Sequence, residues 1–261
     1  MAPATPDVLL ATKLEVPPHP GLVRRPRLLE RLAPETGSEA TLVCAPAGCG
    51  KTSLLADWAR SGGRPVAWLS LDPGDNDPVR FWRYVAAALD RAGVAVAGRL
   101  APLLCGPDPA SPEAVVIALV DELAARPGPE PVVLLLDDYH LVQAPPVHHG
   151  ITLLLDHPPP QLRLVLAGRA DPPLSLARLR ALGQLAEVRA ADLRFRPTEA
   201  AALLARHTGQ PLPDQAVAAW PPAPKAGPPA SSWPGCRCAT TPTRPGSWPA
   251  SRAATVLSWT I

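Results

Sequence analysis

The sequence predicts an α/β fold, a doubly wound parallel sheet with helices on both faces. Three observations predict it. Compact apolar runs of strand length alternate with stretches of helical spacing from Ala40 to Val188. One run, Val132 to Leu136 (VVLLL), is apolar throughout, as in a strand covered on both faces. Three groups suited to phosphate chemistry each follow a predicted strand: a glycine-rich loop after Cys44, the pair Asp137-Asp138, and Arg169. Ligands of such sheets bind at the carboxyl ends of the strands.

Met1 to Pro20 is rich in proline and is expected to be extended. A lead-in from Leu22 then runs into a short basic helix ending at Leu32. Ala40 to Cys44 (ATLVC) reads as the first strand. Leu54, Leu55, Trp58 and Ala59 recur at helical spacing after it, and Gly62-Gly63 ends that helix. Val66 to Leu69 (VAWL) reads as the second strand, followed by the turn-rich Asp72-Pro-Gly-Asp-Asn-Asp77. Asp77 suits an N-cap and Pro78 a first helical position, which predicts a helix through Ala92. Ser111-Pro112 gives the same start signal for a helix to about Ala125. After the VVLLL strand, Val147 to Asp156 is expected to be helical and Leu162 to Ala167 (LRLVLA) a strand. A short helix near Leu174–Ala181 and a last short strand at Leu185 to Val188 complete the pattern.

The 261 residues suffice for one large or two small domains, and 47% hydrophobic content supports a sizeable core. The net charge of +2 does not call for nucleic acid as a partner. No segment approaches the ~18 consecutive apolar residues of a membrane helix, and no signal peptide is expected. Five cysteines without a pairing pattern point to a reducing cytoplasm, and the C-x-C of Cys236 and Cys238 lacks further zinc ligands at a sensible spacing. The expected organisation is a lead-in segment over 1–39, a nucleotide domain over 40–190, the start of a helical domain over 191–217, opened by Thr198, and an irregular tail over 218–261.

That tail departs from the rest. Asp214 is the last acidic residue, and four of the seven tryptophans (Trp220, Trp233, Trp248 and Trp259) lie beyond it. Prolines interrupt every candidate helix there. It reads either as disordered or as out of frame. In the neighbouring frame, with third-position bases chosen freely, the stretch from Ala219 can be read as LAARTEGWAAGLQLAGLSLR, which has helical apolar spacing.

The chemistry is concentrated in Ala45-Pro-Ala-Gly-Cys-Gly-Lys-Thr52. It matches the P-loop pattern G-x-x-x-x-G-K-[ST], with Ala45 in place of the first glycine. Small residues at Ala45, Gly48, Cys49 and Gly50 let backbone N–H groups curl around phosphate oxygens. Lys51 is expected to reach the β- and γ-phosphates, Thr52 to ligate magnesium, and Ser53 to complete the nucleotide-binding set. The N-terminus of the following helix adds a favourable dipole. This predicts binding of ATP, or a close purine triphosphate, with Mg²⁺. Asp137, at the end of the VVLLL strand, fits a second magnesium ligand, and Asp138 is placed to orient or activate the attacking water. Arg169 reads equally as a sensor of γ-phosphate charge or as a surface arginine. His148 and His149 are adjacent, so on a helix they face different ways and make a poor metal pair. His140 reads as part of the loop after Asp138, and Cys49 as a small space-filler.

Several stretches carry a resemblance in the same order. APAGCGKTSLLADWA, VAWLSLDPGDNDPVRFWRYVAAAL, VVLLLDDYHLV and LRLVLAGRADPPLSLARLRALGQLAEVRAADLRF resemble the ATPase module of the large MalT-like regulators of the LuxR class. LLATKLEVPPHPGLVRRPRLLERL fits the family's opening, and the likeness runs from about residue 7 to 217. The resemblance implies an ASCE/AAA-like P-loop NTPase that acts as a slow switch, a signal-transduction ATPase with numerous domains. It implies nucleotide-site roles for Gly48, Gly50, Lys51, Thr52, Asp137, Asp138 and Arg169, and puts Arg24, Arg25 and Pro26 near the base. The family continues into sensor repeats and a helix-turn-helix reader, and this chain is expected to stop before them. Direct DNA binding and membrane association are therefore not expected. Self-association of the ATP-bound form is. Two other readings stand beside the switch: a self-sufficient AAA-like ATPase, and a fragment without function.

Overall fold

The computed structural model describes residues 9–18, 22–32, 38–105, 110–126 and 130–208. The expectations about the tail, including Cys236 and Cys238, lie outside these residues. The chain divides between Leu193 and Arg194 into two units.

The first unit is built on five parallel strands: β1 (Ala40–Cys44), β2 (Val66–Ser70), β3 (Val132–Asp137), β4 (Leu162–Gly168) and β5 (Leu185–Arg189). Their order in the sheet is β2-β3-β4-β1-β5. The helices are α1 (Pro26–Leu32), α2 (Lys51–Ser61), α3 (Pro78–Arg91), α4 (Ala97–Leu104), α5 (Pro112–Ala124), α6 (Pro145–Asp156), α7 (Leu176–Ala181) and α8 (Ala190–Leu193).

Period-two alternation divides the core between two faces. Val132, Leu134 and Leu136 of β3, with Leu162, Leu164 and Leu166 of β4, pack in the layer that holds Phe81, Trp82, Leu119 and Ile151. Val133 and Leu135, with Val165 and Ala167, pack in the other layer with Leu28, Leu54 and Leu55. A strand buried on both faces must be apolar at every position, which is why VVLLL reads as it does.

The predicted caps form. Asp77 accepts from the Arg80 amide at 2.9 Å with Pro78 opening α3, and Ser111 accepts from the Ala114 amide at 3.3 Å with Pro112 opening α5. Other features differ from expectation. Residues Ala11–Leu14 are a 3-10 helix rather than extended chain. Lys13 explains the difference: its amine pairs with Asp72 at 3.1 Å and with the fully buried Asp75, and this draws the segment into a turn. The segment before β1 joins the core, with Leu14 in one layer and Leu28 and Leu32 in the other. Helices α4 and α8 are additional to the predicted elements. Among the described residues no helix is long and apolar enough to cross a membrane.

In the second unit the described element is α9 (Pro197–Thr208). It starts at Pro197, and Glu199 reaches back to accept from the Arg196 amide at 2.8 Å.

Gly150 in α6 faces the buried Trp82 indole, where an added Cβ would lie 2.6 Å from Cζ2. Alanine normally gains about 1 kcal/mol over glycine inside a helix. Here overpacking against a rigid buried ring reverses the sign. Gly150→Ala is expected to destabilise the chain by roughly 1–3 kcal/mol in urea unfolding. A variant as stable as wild type would show that Trp82 has room to move.

Candidate functional site

The carboxyl ends of β1, β3 and β4 converge on one edge of the sheet. Parallel register pairs Cys44 with Gly168 across β1 and β4, and Ser70 with Asp137 across β2 and β3. The loop after β1 leads directly into α2. Gly48 and Gly50 both take φ of +77°, where a side chain would be strained, whereas Ala45 does not have positive φ. That is why alanine is tolerated in place of the first glycine. Gly50 is the N-cap of α2 and provides no side-chain cap, so the amides of the first turn are left to other acceptors.

The Lys51 amine is buried and folds back over the loop, donating to the carbonyls of Ala45 at 2.8 Å and Pro46 at 3.0 Å. The Thr52 hydroxyl donates to Asp137 Oδ2 at 2.7 Å, and the other carboxylate oxygen accepts from the Asp138 amide at 2.9 Å. Burial pushes the Asp137 carboxyl above the usual carboxylate range. The Thr52 hydrogen bond opposes that rise and the neighbouring Asp138 charge adds to it.

Asp138 is the one non-glycine residue with positive φ (56°) among those described. It opens the 3-10 turn Tyr139–Leu141, and its side chain is 43% exposed. His140 Nδ1 lies 3.8 Å from Asp138 Oδ1, and both ring nitrogens are buried without a hydrogen-bond partner among the described residues. Burial pulls His140 below the usual histidine range, with Arg169 and Lys51 acting in the same sense and Asp138 against them. Arg169 is exposed just beyond Gly168. The charges of Lys51, Asp138 and Arg169 thus all bear on His140, which sequence pattern alone places simply in the loop after Asp138.

Cys44 ends β1 beside Asp171, and burial raises its thiol pKa. Cys49 is half-buried in the loop, and Ser53 is half-buried on the first turn of α2. His148 is buried with Nδ1 2.9 Å from the Tyr139 hydroxyl, whereas His149 meets Glu113 at the surface, so the two do face different ways. Arg24 lies 3.9 Å from Asp57. Arg25 is buried and donates to the carbonyls of Gly50 at 3.3 Å and Leu193 at 3.0 Å, an attachment to the end of the loop that spacing did not reveal. A cavity of about 630 Å³ lined by Tyr139, His140, Gln143, His148 and Asp171 adjoins this edge, and Lys51, Thr52 and Asp137 are not in its lining.

A glycine-turned loop entering a helix, a lysine and threonine at that helix's start, and an acidic strand end reached across an intervening strand define a P-loop NTPase of the ASCE/AAA-like type. The chain is homologous to a segment of the HTH-type transcriptional regulators MalT. It is 36% identical over 190 residues to that of Cronobacter sakazakii, covering 73% of this chain and 21% of that protein. It is 38% identical over 194 residues to that of Serratia proteamaculans, covering 74% of this chain and 21% of that protein. It therefore spans about a fifth of the length of these curated relatives. No family model matches. Among solved structures it is similar to a Walker-type ATPase of Pyrococcus abyssi, with a TM-score of 0.48 and 14% identity over 75% of this chain and 61% of that one. It is also similar to the ORC1 protein of Aeropyrum pernix, solved in complex with DNA, with a TM-score of 0.45 and 20% identity over 74% of this chain and 52% of that one.

The raised Asp137 pKa has a consequence for stability. An acid whose folded pKa lies above its unfolded value contributes most when protonated, below the unfolded pKa, and loses that contribution as pH rises through the folded pKa. At neutral pH the charged carboxylate therefore weakens the unliganded fold. Asparagine keeps both hydrogen bonds, because the Thr52 hydroxyl can turn to accept. Asp137→Asn is expected to raise the urea midpoint at pH 7.5, and the gap should narrow toward pH 4. A less stable variant, or a gap independent of pH, would contradict this.

Proposed function

We propose that this chain is the ATP-binding switch module of a LuxR-class, MalT-like regulator, a signal-transduction ATPase that hydrolyses ATP slowly in the cytoplasm. The observation that carries the reading is the hydrogen bond between Thr52 and Asp137. It joins the start of α2 to the end of β3 and sets a hydroxyl and a carboxylate side by side. These are hard oxygen donors of the kind magnesium takes, and a cation there would relieve the buried Asp137 charge. Thr52 and Asp137 would hold the ion, which when bound neutralises charge on the β- and γ-phosphate oxygens.

The remaining roles follow from the chain's own groups. Ala45, Gly48, Cys49 and Gly50 wrap the phosphates with backbone amides, and Ser53 sits on the first turn of α2 behind them. Lys51 exchanges the carbonyls of Ala45 and Pro46 for phosphate oxygens, a stronger charge-assisted contact. Asp138 orients the attacking water and accepts its proton. Arg169 faces the charge that develops on the transferred phosphoryl group. Homology to HTH-type transcriptional regulators supports a role in transcription regulation. Direct, sequence-selective DNA contact by this chain is not part of the proposal, whereas self-association in the ATP state is.

Lys51→Ala is expected to weaken Mg-ATP binding by at least roughly 100-fold in calorimetry, since two or more charge-assisted hydrogen bonds are lost. Wild-type affinity in that variant would remove the P-loop from the function. Asp138→Asn is expected to bind normally and to turn over roughly 100-fold more slowly or worse. Unchanged turnover would take Asp138 out of the mechanism.

A further inference from the structure

We infer that Asn76 is a positioning residue for ATP hydrolysis, holding in place the loop that carries Asp138 and His140. The inference rests on the proposed hydrolysis at this site and adds a residue outside the phosphate loop and the acidic strand end.

Asn76 ends the 3-10 helix Pro73–Asn76, in the loop after β2. Its amide uses its full hydrogen-bonding capacity. Nδ2 donates to the carbonyls of Pro73 at 2.9 Å and Leu141 at 3.0 Å, and Oδ1 accepts from the amides of Gln143 at 2.6 Å and Ala144 at 2.9 Å. Three of these four bonds reach a segment that lies 65 to 68 residues away in the chain. That segment joins the turn after Asp138 to α6, whose own N-cap Ala144 provides no side-chain bond. The Leu141 amide closes the turn by donating to the Asp138 carbonyl at 3.0 Å. Asn76 therefore grips the carbonyl of the same residue whose amide grips Asp138. This support matters because Asp138 holds a left-handed backbone, which aspartate tolerates better than most side chains but does not favour over the right-handed one.

Asn76 itself is anchored. Its neighbour Asp75 is fully buried, accepts from the Asp72 amide at 2.8 Å, and pairs with Lys13 and with Arg80 at 3.4 Å. The Lys13 amine also lies 4.2 Å from the centre of the Tyr84 ring. The loop after β2 is thus a fixed platform, and Asn76 transfers its position to the catalytic turn. Losing that hold lets Asp138 sample turns in which its carboxylate misses the water, while Lys51 and Thr52 on α2 still bind nucleotide.

The test uses the full chain and steady-state ATP turnover with Mg²⁺, in Asn76→Ala, Asn76→Asp, Asp138→Asn and the double variant Asn76→Ala with Asp138→Asn. Asn76→Ala is expected to lower kcat about tenfold or more, with KM and the calorimetric Kd for Mg-ATP moving less than about threefold. Asn76→Asp keeps the acceptor for Gln143 and Ala144 but loses the donor to Leu141, and is expected to fall between. In the Asp138→Asn background the alanine change should cost less than about twofold, because the group it positions is already disabled. Should Asn76→Ala not fold, Asn76→Asp decides by the same split between kcat and KM. Wild-type kcat, parallel losses in kcat and affinity, or an additive loss in the double variant overturns the inference. A wild-type chain that binds Mg-ATP without measurable turnover overturns the inference and leaves nucleotide binding standing. One that does not bind Mg-ATP overturns the functional reading itself and the inference with it.

Discussion

The hydrogen bond from Thr52 to Asp137 joins the start of α2, which follows β1, to the end of β3, and β1 and β3 are not neighbours. β4 lies between β1 and β3, so their axes are roughly 9–10 Å apart. β4 ends between them in Gly168. A Cβ at Gly168 would stand 3.3 Å from the Ala170 carbonyl and 3.7 Å from His140 Cβ. A larger residue would push the turn after Asp138 away from the edge. The strand order thus has a chemical consequence. It sets the phosphate loop and the acidic strand end on either side of β4, where Thr52 of α2 and Asp137 of β3 bridge them.

Such a bridge is costly for the fold. Asp137 is 2% exposed and carries a charge that its surroundings disfavour. The Lys51 amine is also buried and relies on two loop carbonyls. Asp138 adds a left-handed backbone, which costs about 1–2 kcal/mol for most residues with a side chain and less for aspartate. His140 adds two ring nitrogens without partners among the described residues. All four lie along one edge, while the apolar layers on both faces of the sheet are closely packed. Strain and uncompensated polarity gathered at one place suit the nucleotide site proposed for this edge, because a nucleotide and a cation bound there would gain from groups that the fold alone satisfies poorly.

What could be read in the sequence follows the range of the interactions. The phosphate loop, the Walker strand and the caps at Asp77 and Ser111 depend on residues within a few positions of each other, so pattern alone reveals them. Ala45 was also legible, since any small residue without a need for positive φ fits there. Helix α4 was not: it carries Pro102 inside it, and its N-cap Val96 has no capping side chain. Asn76 looked like one more turn residue because its partners lie in another loop. His140 looked like loop because burial is a property of the folded chain. Arg25 was assigned to the lead-in, and only folding brings it to Gly50 and Leu193.

Arg25 shows how the first unit links its two ends. Its planar guanidinium donates to the carbonyl of Gly50, the residue that starts α2, and to that of Leu193, the last residue of α8. Arg27 donates to the Asp192 carbonyl at 2.7 Å, and Arg31 pairs with the Asp192 side chain at 2.6 Å while reaching the Glu187 carbonyl at 2.8 Å. Three arginines at the start and along one short helix therefore bind the segment that follows β5. A guanidinium is a rigid fork and cannot follow two carbonyls that move apart. Any rotation of the Gly50 peptide, which lies where α2 meets the phosphate loop, must either carry Arg25 with it or break the hydrogen bond between them. The geometry of the phosphate loop and the position of Leu193 are thus constrained by one side chain. This gives the lead-in segment a structural task at the nucleotide edge, although none of its residues belongs to the phosphate-binding motif.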